Sequence, residues 1–394
     1  PKLKPLSSLT FRVSYSLTGT PPDAAYCNAL TKLSMNTPYR PTTTDKELGF
    51  VVAALGNDEL TYEKKHEFNF GVDAGFFNNR LNVTFDVYQR RNFDEIAPTV
   101  TQLYGTAYAN VGSMKSWGEE LSISSTNIKT QDFSWQTSLI YSHNRTEITD
   151  LYNQGRVIDL VQGNGFAKQG YPARALFSIP FVGINEKGYP VCINEKGQAT
   201  VGNLNFQERD NTDYLIYEGS TDPVYNGSLG NTFNYKGFHL NVFLTYAFGN
   251  VVRLDPAFSA KYNDLTSMTH DFKNRWMQPG DENVTNVPGV VSRYEYEQNS
   301  TLLATAYNAY NYTSVRTAKG DFIRLKEISL AYDFPHRWFE KSPVNNISLK
   351  LQATNLMLLY ADKKLNGQDP EFMNAGGVAS PMPKQFTLTL KLGL

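Results

Sequence analysis

The chain lacks any apolar run near the ~20 residues that a membrane-spanning helix needs, although 41% of its 394 residues are hydrophobic. That excludes a helical span and nothing more. A barrel strand crosses in ~10 residues and needs only one apolar face. An excess of either charge is also missing. The 37 Lys and Arg nearly balance the 38 Asp and Glu, for a net charge of −1. Without a basic surplus, no nucleic-acid partner is expected. Histidine is scarce, and His66, His143, His239, His270 and His336 are scattered without metal-ligand spacing. Asp210, Asn211 and Asp213 lack the spacing, glycine and bidentate Glu of a calcium loop. There is no P-loop, nucleophile elbow or zincin motif. The expectation is a protein that is not an enzyme, with no catalytic residue, no cofactor and no metal site. Cysteine is limited to Cys27 and Cys192, both in segments that read as long loops. They allow one disulfide in an oxidising compartment, but sequence alone cannot bring the two sulfurs within bonding distance.

What is plentiful is aromatic residues and period-two alternation. The 24 Tyr and 24 Phe are many for a chain of this length. On membrane barrels such residues gather in girdles at the two interfaces. The last nine residues show the alternation most clearly. Phe386, Leu388, Leu390, Leu392 and Leu394 are apolar, while Thr387, Thr389, Lys391 and Gly393 are polar or small. Successive side chains of a strand point to opposite faces, so one face here is purely apolar.

Ten such segments can be laid out. They are Leu9–Leu17, Glu67–Phe76, Leu81–Val87, Trp117–Thr126, Phe133–Tyr141, Val224–Phe233, Leu240–Phe248, Ile328–Phe334, Ile347–Thr354 and Phe386–Leu394. Short connections join the second to the third (Phe77–Arg80), the fourth to the fifth (Lys129–Asp132), the sixth to the seventh (Asn234–Gly237) and the eighth to the ninth (Pro335–Asn346). The others are long, at roughly 20–62, 92–116, 147–223, 249–320 and 360–385. Long loops are uncommon in compact domains. Strict short–long alternation is the habit of outer-membrane barrels. A soluble β-sandwich also has half-apolar strands, but does not need five large loops at one end. The fold class expected is all-β, a transmembrane antiparallel β-barrel.

Several stretches resemble the SusC/RagA family of TonB-dependent outer-membrane transporters. They are Leu55–Glu63 with Phe70-Gly-Val-Asp73 and Phe77-Asn-Asn-Arg-Leu81, then Asn110–Ser113 with Trp117–Glu120, then Gly170-Tyr-Pro172. Thr221–Tyr225 with Tyr235–Phe238, Phe322–Pro335, Ala353–Leu356 and Gly367–Glu371 complete the series. Each is weak alone; their order and spacing are specific. The resemblance implies that residues 1–394 are the C-terminal portion of a barrel of about 22 strands, with plug domain and N-terminal extension absent from this chain. It implies TonB-driven import of oligosaccharides or oligopeptides, with the C-terminus periplasmic and the long loops extracellular. The implied partners are a SusD-like surface lipoprotein, TonB acting through the plug, an N-terminal barrel part in the same or a separate chain, and outer-membrane lipid. The alternatives are a non-transporting SusC-like scaffold subunit and a passive porin.

Aromatic faces stack on sugars and on peptide side chains. Tyr307, Tyr310, Tyr312 and Trp276, in long loops, are therefore the candidate substrate-binding residues. The competing reading is that they pack the loops on one another. The near-repeat Ile184-Asn-Glu-Lys-Gly188 and Ile193-Asn-Glu-Lys-Gly197 predicts two small turns with glycine at positive φ.

Overall fold

The computed structural model describes residues 5–393, except 24–29, 39, 41–42, 55, 102–104, 153, 263–266, 341–342 and 374–382. Ten strands form one continuous sheet: β1 (Leu6–Thr20), β2 (Glu63–Phe76), β3 (Leu81–Thr101), β4 (Gly105–Lys129), β5 (Phe133–Leu151), β6 (Tyr225–Tyr235), β7 (Phe238–Phe248), β8 (Phe322–Asp333), β9 (Asn346–Ala361) and β10 (Gln385–Gly393). Each pairs antiparallel with its neighbours in chain order. All five odd-to-even connections therefore lie at one end of the sheet and the four even-to-odd ones at the other. Among the described residues no helix is long and apolar enough to cross a membrane.

The register turns alternation within each strand into rows across the sheet. Trp135, Phe233, Leu240, Leu330, Leu351 and Leu388 lie side by side on one face. The next row, Gln136, Thr232, Asn241, Ser329, Gln352 and Thr387, lies on the other. One face is a hydrocarbon-compatible wall and the other a hydrated one, as a membrane barrel requires. Asn231 is an exception on the apolar face. Its side-chain oxygen is saturated by the Trp135 indole N–H at 2.9 Å and the Thr137 hydroxyl at 2.8 Å.

Aromatic side chains border the apolar band at both ends. Phe133, Tyr235, Phe238 and Tyr332 share a row at the short-turn end. Tyr141, Tyr225, Tyr246, Phe248 and Tyr360 gather at the long-loop end. Eight residues separate Phe238 from Tyr246, about 27 Å along the strand. With a ~40° tilt this spans about 20 Å, close to the height of a barrel's apolar band.

The turns follow from their residues. Lys236 and Gly237 both have positive φ, 45° and 88°, as a two-residue hairpin requires. Phe77, Asn78 and Asn79 are all left-handed, and asparagine tolerates that region better than most residues. The expected connection over 92–116 is corrected. β3 and β4 run on as a paired ladder through Thr101 and Gly105, past a bulge at Asn92–Glu95. The segment reads as loop because it stands beyond the apolar band, where neither face needs to be apolar.

The buried core lies in the loops, because the barrel wall turns its apolar side chains outward. The 152–224 connection holds helix α1 (Val157–Val161), the paired strands Ala175–Ser178 and Ile216–Ser220, and a small sheet of Phe181–Ile184, Pro190–Ile193 and Ala199–Thr200. The 249–321 connection holds the paired strands Val251–Arg253 and Thr317–Lys319 and helices α2 (Arg293–Gln298) and α3 (Ser300–Asn311). Val157, Leu160, Phe177, Ile179, Cys192 and Leu215 from the first pack with Ala309 from the second.

Candidate functional site: the polar wall and its loop assembly

The polar wall carries built ion clusters. Arg12 on β1 reaches Asp73 on β2 at 2.8 Å and Asp86 on β3 at 3.0 Å. Its row partner on β2 is Gly71. A Cβ there would stand 2.8 Å from the Arg12 guanidinium carbon. Glycine therefore lets the arginine lie across β2 to its second carboxylate, which gives the Phe70-Gly-Val-Asp73 motif a physical reason. Farther toward the loop end, Glu67 accepts from Lys65 at 3.0 Å and Arg90 at 3.1 Å. Toward the other edge, Gln352 donates to Glu327 at 3.0 Å. The wall is thus polar and charged in patches of both signs.

The loop assembly is tied to this wall and to itself by buried arginines. Arg324, near the loop end of β8, forms a buried ion pair with Asp369 of the 362–384 connection. It also contacts Glu371 at 3.1 Å. Arg253 is 1% exposed, and among the described residues no carboxylate lies within bonding distance of it. Its guanidinium donates to the Thr313 carbonyl at 2.8 Å, the Phe177 carbonyl at 2.6 Å and the Ser178 hydroxyl at 3.1 Å. One side chain thus fastens the two large connections together. Burial pushes its pKa down to about 10, so it stays charged at neutral pH. Arg316, also buried, pairs with Asp271 at 3.2 Å. Beside that pair a cavity of about 360 Å³ opens, lined by Asp255, His270, Asp271, Lys364 and Gln368 among others.

The expected substrate-binding aromatics are placed differently from a stacking surface. Tyr307 and Tyr310 are 1% and 2% exposed. Tyr310 packs between Phe181 and Phe258, at 5.7 Å and 5.1 Å between ring centres. Tyr307 donates its hydroxyl to the Gly289 carbonyl. Both turn inward from α3 and are packed among loop residues. Tyr312 is half-buried against Phe206. The Trp276 ring lies over Gly188 and Gly289, where a Cβ would collide with it. Its indole N–H bonds Glu282 at 3.0 Å. That bond comes first, with the backbone N–H groups of Glu282 and Gly280, in holding the Glu282 carboxyl below its ordinary range. What the sequence reading missed are the arginines, since a buried guanidinium has no periodic signature.

The paired turns are as expected. Gly188 and Gly197 have φ of 80° and 73°. In each turn the Asn side chain accepts two backbone N–H groups, at 2.9–3.0 Å. Cys192 is a buried free thiol that burial pushes up to about 12. Cys27 lies outside the described residues. Among the described residues no three His, Cys, Asp or Glu side chains converge as metal ligands.

No family model matches the chain. Known proteins do. TonB-dependent receptor P3 of Formosa agariphila is 26% identical over 390 residues, covering 93% of this chain and 36% of that protein. TonB-dependent receptor SusC of Bacteroides thetaiotaomicron is 27% identical over 356 residues, covering 86% and 32%. The chain therefore spans about a third of the length of these relatives. In fold it is similar to the RagAB peptide transporter, with a TM-score of 0.76 and 24% identity over 99% of this chain and 41% of that one. In sequence the chain is similar to TonB-dependent receptors, SusC among them, and in fold to the β-barrel of the RagAB transporter.

Proposed function

We propose that these ten strands form one flank of an outer-membrane import barrel that passes polar oligomers, oligosaccharides or oligopeptides, inward. The observation that carries the reading is the register, which gives one predominantly apolar face and one polar face bearing fixed ion clusters. The work of such a wall is binding, occlusion and release. The loop assembly, fastened by Arg253 and Arg324, stands at the extracellular mouth, and the short turns and the end of β10 at the periplasmic rim.

β1 and β10 each have a sheet neighbour on one side only among the described residues. An unpaired backbone group in hydrocarbon costs several kcal/mol. Further strands, supplied with a plug domain by the same or another chain, close the barrel in this reading. A SusD-like lipoprotein covers the mouth, and TonB acts through the plug. The likeness to SusC and to the RagAB peptide transporter supports both partners without choosing between glycan and peptide.

Uptake of labelled oligosaccharides and oligopeptides by cells carrying the intact receptor tests this, with TonB active or disabled. Import that stops when TonB is disabled is the expected result. Import that continues indicates a passive porin. No import by a fully assembled protein indicates a scaffold.

A further inference from the structure

The outward face changes character just above the loop-end aromatic row. In the next two rows β1 and β2 keep Tyr15, Phe68 and Leu17 on that face, but the lipid-facing positions of β3 to β5 hold Gln89, Trp117 and Arg145, then Arg91, Lys115 and Glu147, with His66 beside them on β2. Their side chains point to the same side as Phe85, Val87 and Leu121 below them, because they are even steps along the same strands. Arg91 and Arg145 are exposed. Lys115 and Arg145 flank the Trp117 ring at 5.7 Å and 5.8 Å, and Lys115 also meets Glu147 at 3.0 Å. One row lower, Glu119 accepts from the Tyr141 hydroxyl and lies 3.8 Å from His143. Beside Arg145 a groove of about 360 Å³ opens between the wall and the loop assembly. It is lined by His143, Arg145, Pro172, Tyr217, Asp222 and Tyr225, and Asp222 is already held by Arg174 at 2.6 Å.

We propose that this rim, Arg91, Lys115 and Arg145 around Trp117 with the adjoining groove, binds the phosphate of a phosphorylated membrane lipid in the leaflet on the loop side. The argument is one of depth and charge. The cations stand at headgroup height, immediately beyond a row that marks the edge of the hydrocarbon. Phe70 and Val87, exposed below them, offer a surface to acyl chains. A cation at this height has no use for bulk cargo, since it faces away from the lumen. Arg91 and Arg145 lie on strands two apart and one outward row apart, with backbones about 12 Å from one another, so one phosphorylated headgroup can reach both long side chains. The proposal takes the loop end as the outer one, and protease cleavage of the α2 segment in intact cells checks that separately.

The test uses the intact receptor in phosphatidylcholine nanodiscs, with phosphorylated lipid A or with its dephosphorylated form, and reads retained lipid by native mass spectrometry. The variant is Arg91→Gln, Lys115→Gln, Arg145→Gln. Each cation near a charged headgroup counts for roughly fivefold, so the triple variant should retain about a hundredfold less of the phosphorylated lipid. Wild type should show the same preference for the phosphorylated over the dephosphorylated lipid. Lys350→Gln, on the polar face, should change nothing. Equal retention by wild type and variant, or of both lipids, overturns the proposal, as does an equal loss from Lys350→Gln. If the triple variant fails to assemble, Arg145→Gln alone is read the same way, with a fivefold loss expected.

Discussion

Single residues decide how the loop assembly holds together. Arg253→Met keeps the bulk of the side chain but removes three hydrogen bonds and leaves the Phe177 and Thr313 carbonyls buried. Opening of the loop assembly should become easier by roughly 2–4 kcal/mol. Hydrogen exchange at the Ile179 amide, which bonds the Tyr312 carbonyl across the same seam, reads this directly. Unchanged protection there would show that the arginine is not the fastener. Cys192 supplies a pH signature. Its thiol is displaced by burial from 9.0 to about 12. Between those values the unfolded loops lose a proton that the folded ones keep. The contribution to stability is complete below pH 9 and is lost as pH rises toward 12. Cys192→Ala should flatten this alkaline decline. A residual slope should persist from Tyr189, which burial and then Glu295 push to about 12. An identical decline in the variant would contradict the assignment.

At the scale of elements, the strands inside the bilayer were legible because hydrocarbon on one side and water on the other impose alternation. Leu240, Val242, Leu244 and Tyr246 on β7 show it, and so does the whole of β10. Where that constraint ends, so does the signal. Residues 92–96 and 110–116 are strand, yet read as loop. Ala175–Ser178 is buried on both faces and so does not alternate. Asn355, in the Ala353-Thr-Asn-Leu356 stretch, is left-handed with φ of 53°, at an irregularity between β8 and β9. Asparagine tolerates that conformation, but nothing in the sequence marks it as a bulge rather than a turn. Nor does spacing reveal which aromatics on α3 point inward. The orientation of β7 yields a direct comparison. Val242 sits midway between the two aromatic rows on the apolar face, and Asn241 faces the polar side. Val242→Arg should cost on the order of 2–4 kcal/mol and Asn241→Arg much less. Unfolding of the reconstituted receptor in denaturant measures both, and equal costs would show the faces to be wrongly assigned.

Among the described residues the main sheet has two unpaired edges, and its apolar face makes sense only in lipid. The edges of β1 and β10 present rows of N–H and C=O groups, each expensive if left bare in hydrocarbon. A ten-stranded barrel is physically allowed, so closure of β1 on β10 is the true rival to a larger ring. The central claim is that these ten strands are one flank of that larger ring. Electron cryomicroscopy of the intact receptor in a lipid bilayer addresses it most directly. The account predicts that β1 and β10 each bond, on their outer edges, to strands other than these ten, around a lumen lined by Arg12, Asn241 and Gln352. A closed ring in which β1 pairs with β10 would contradict it.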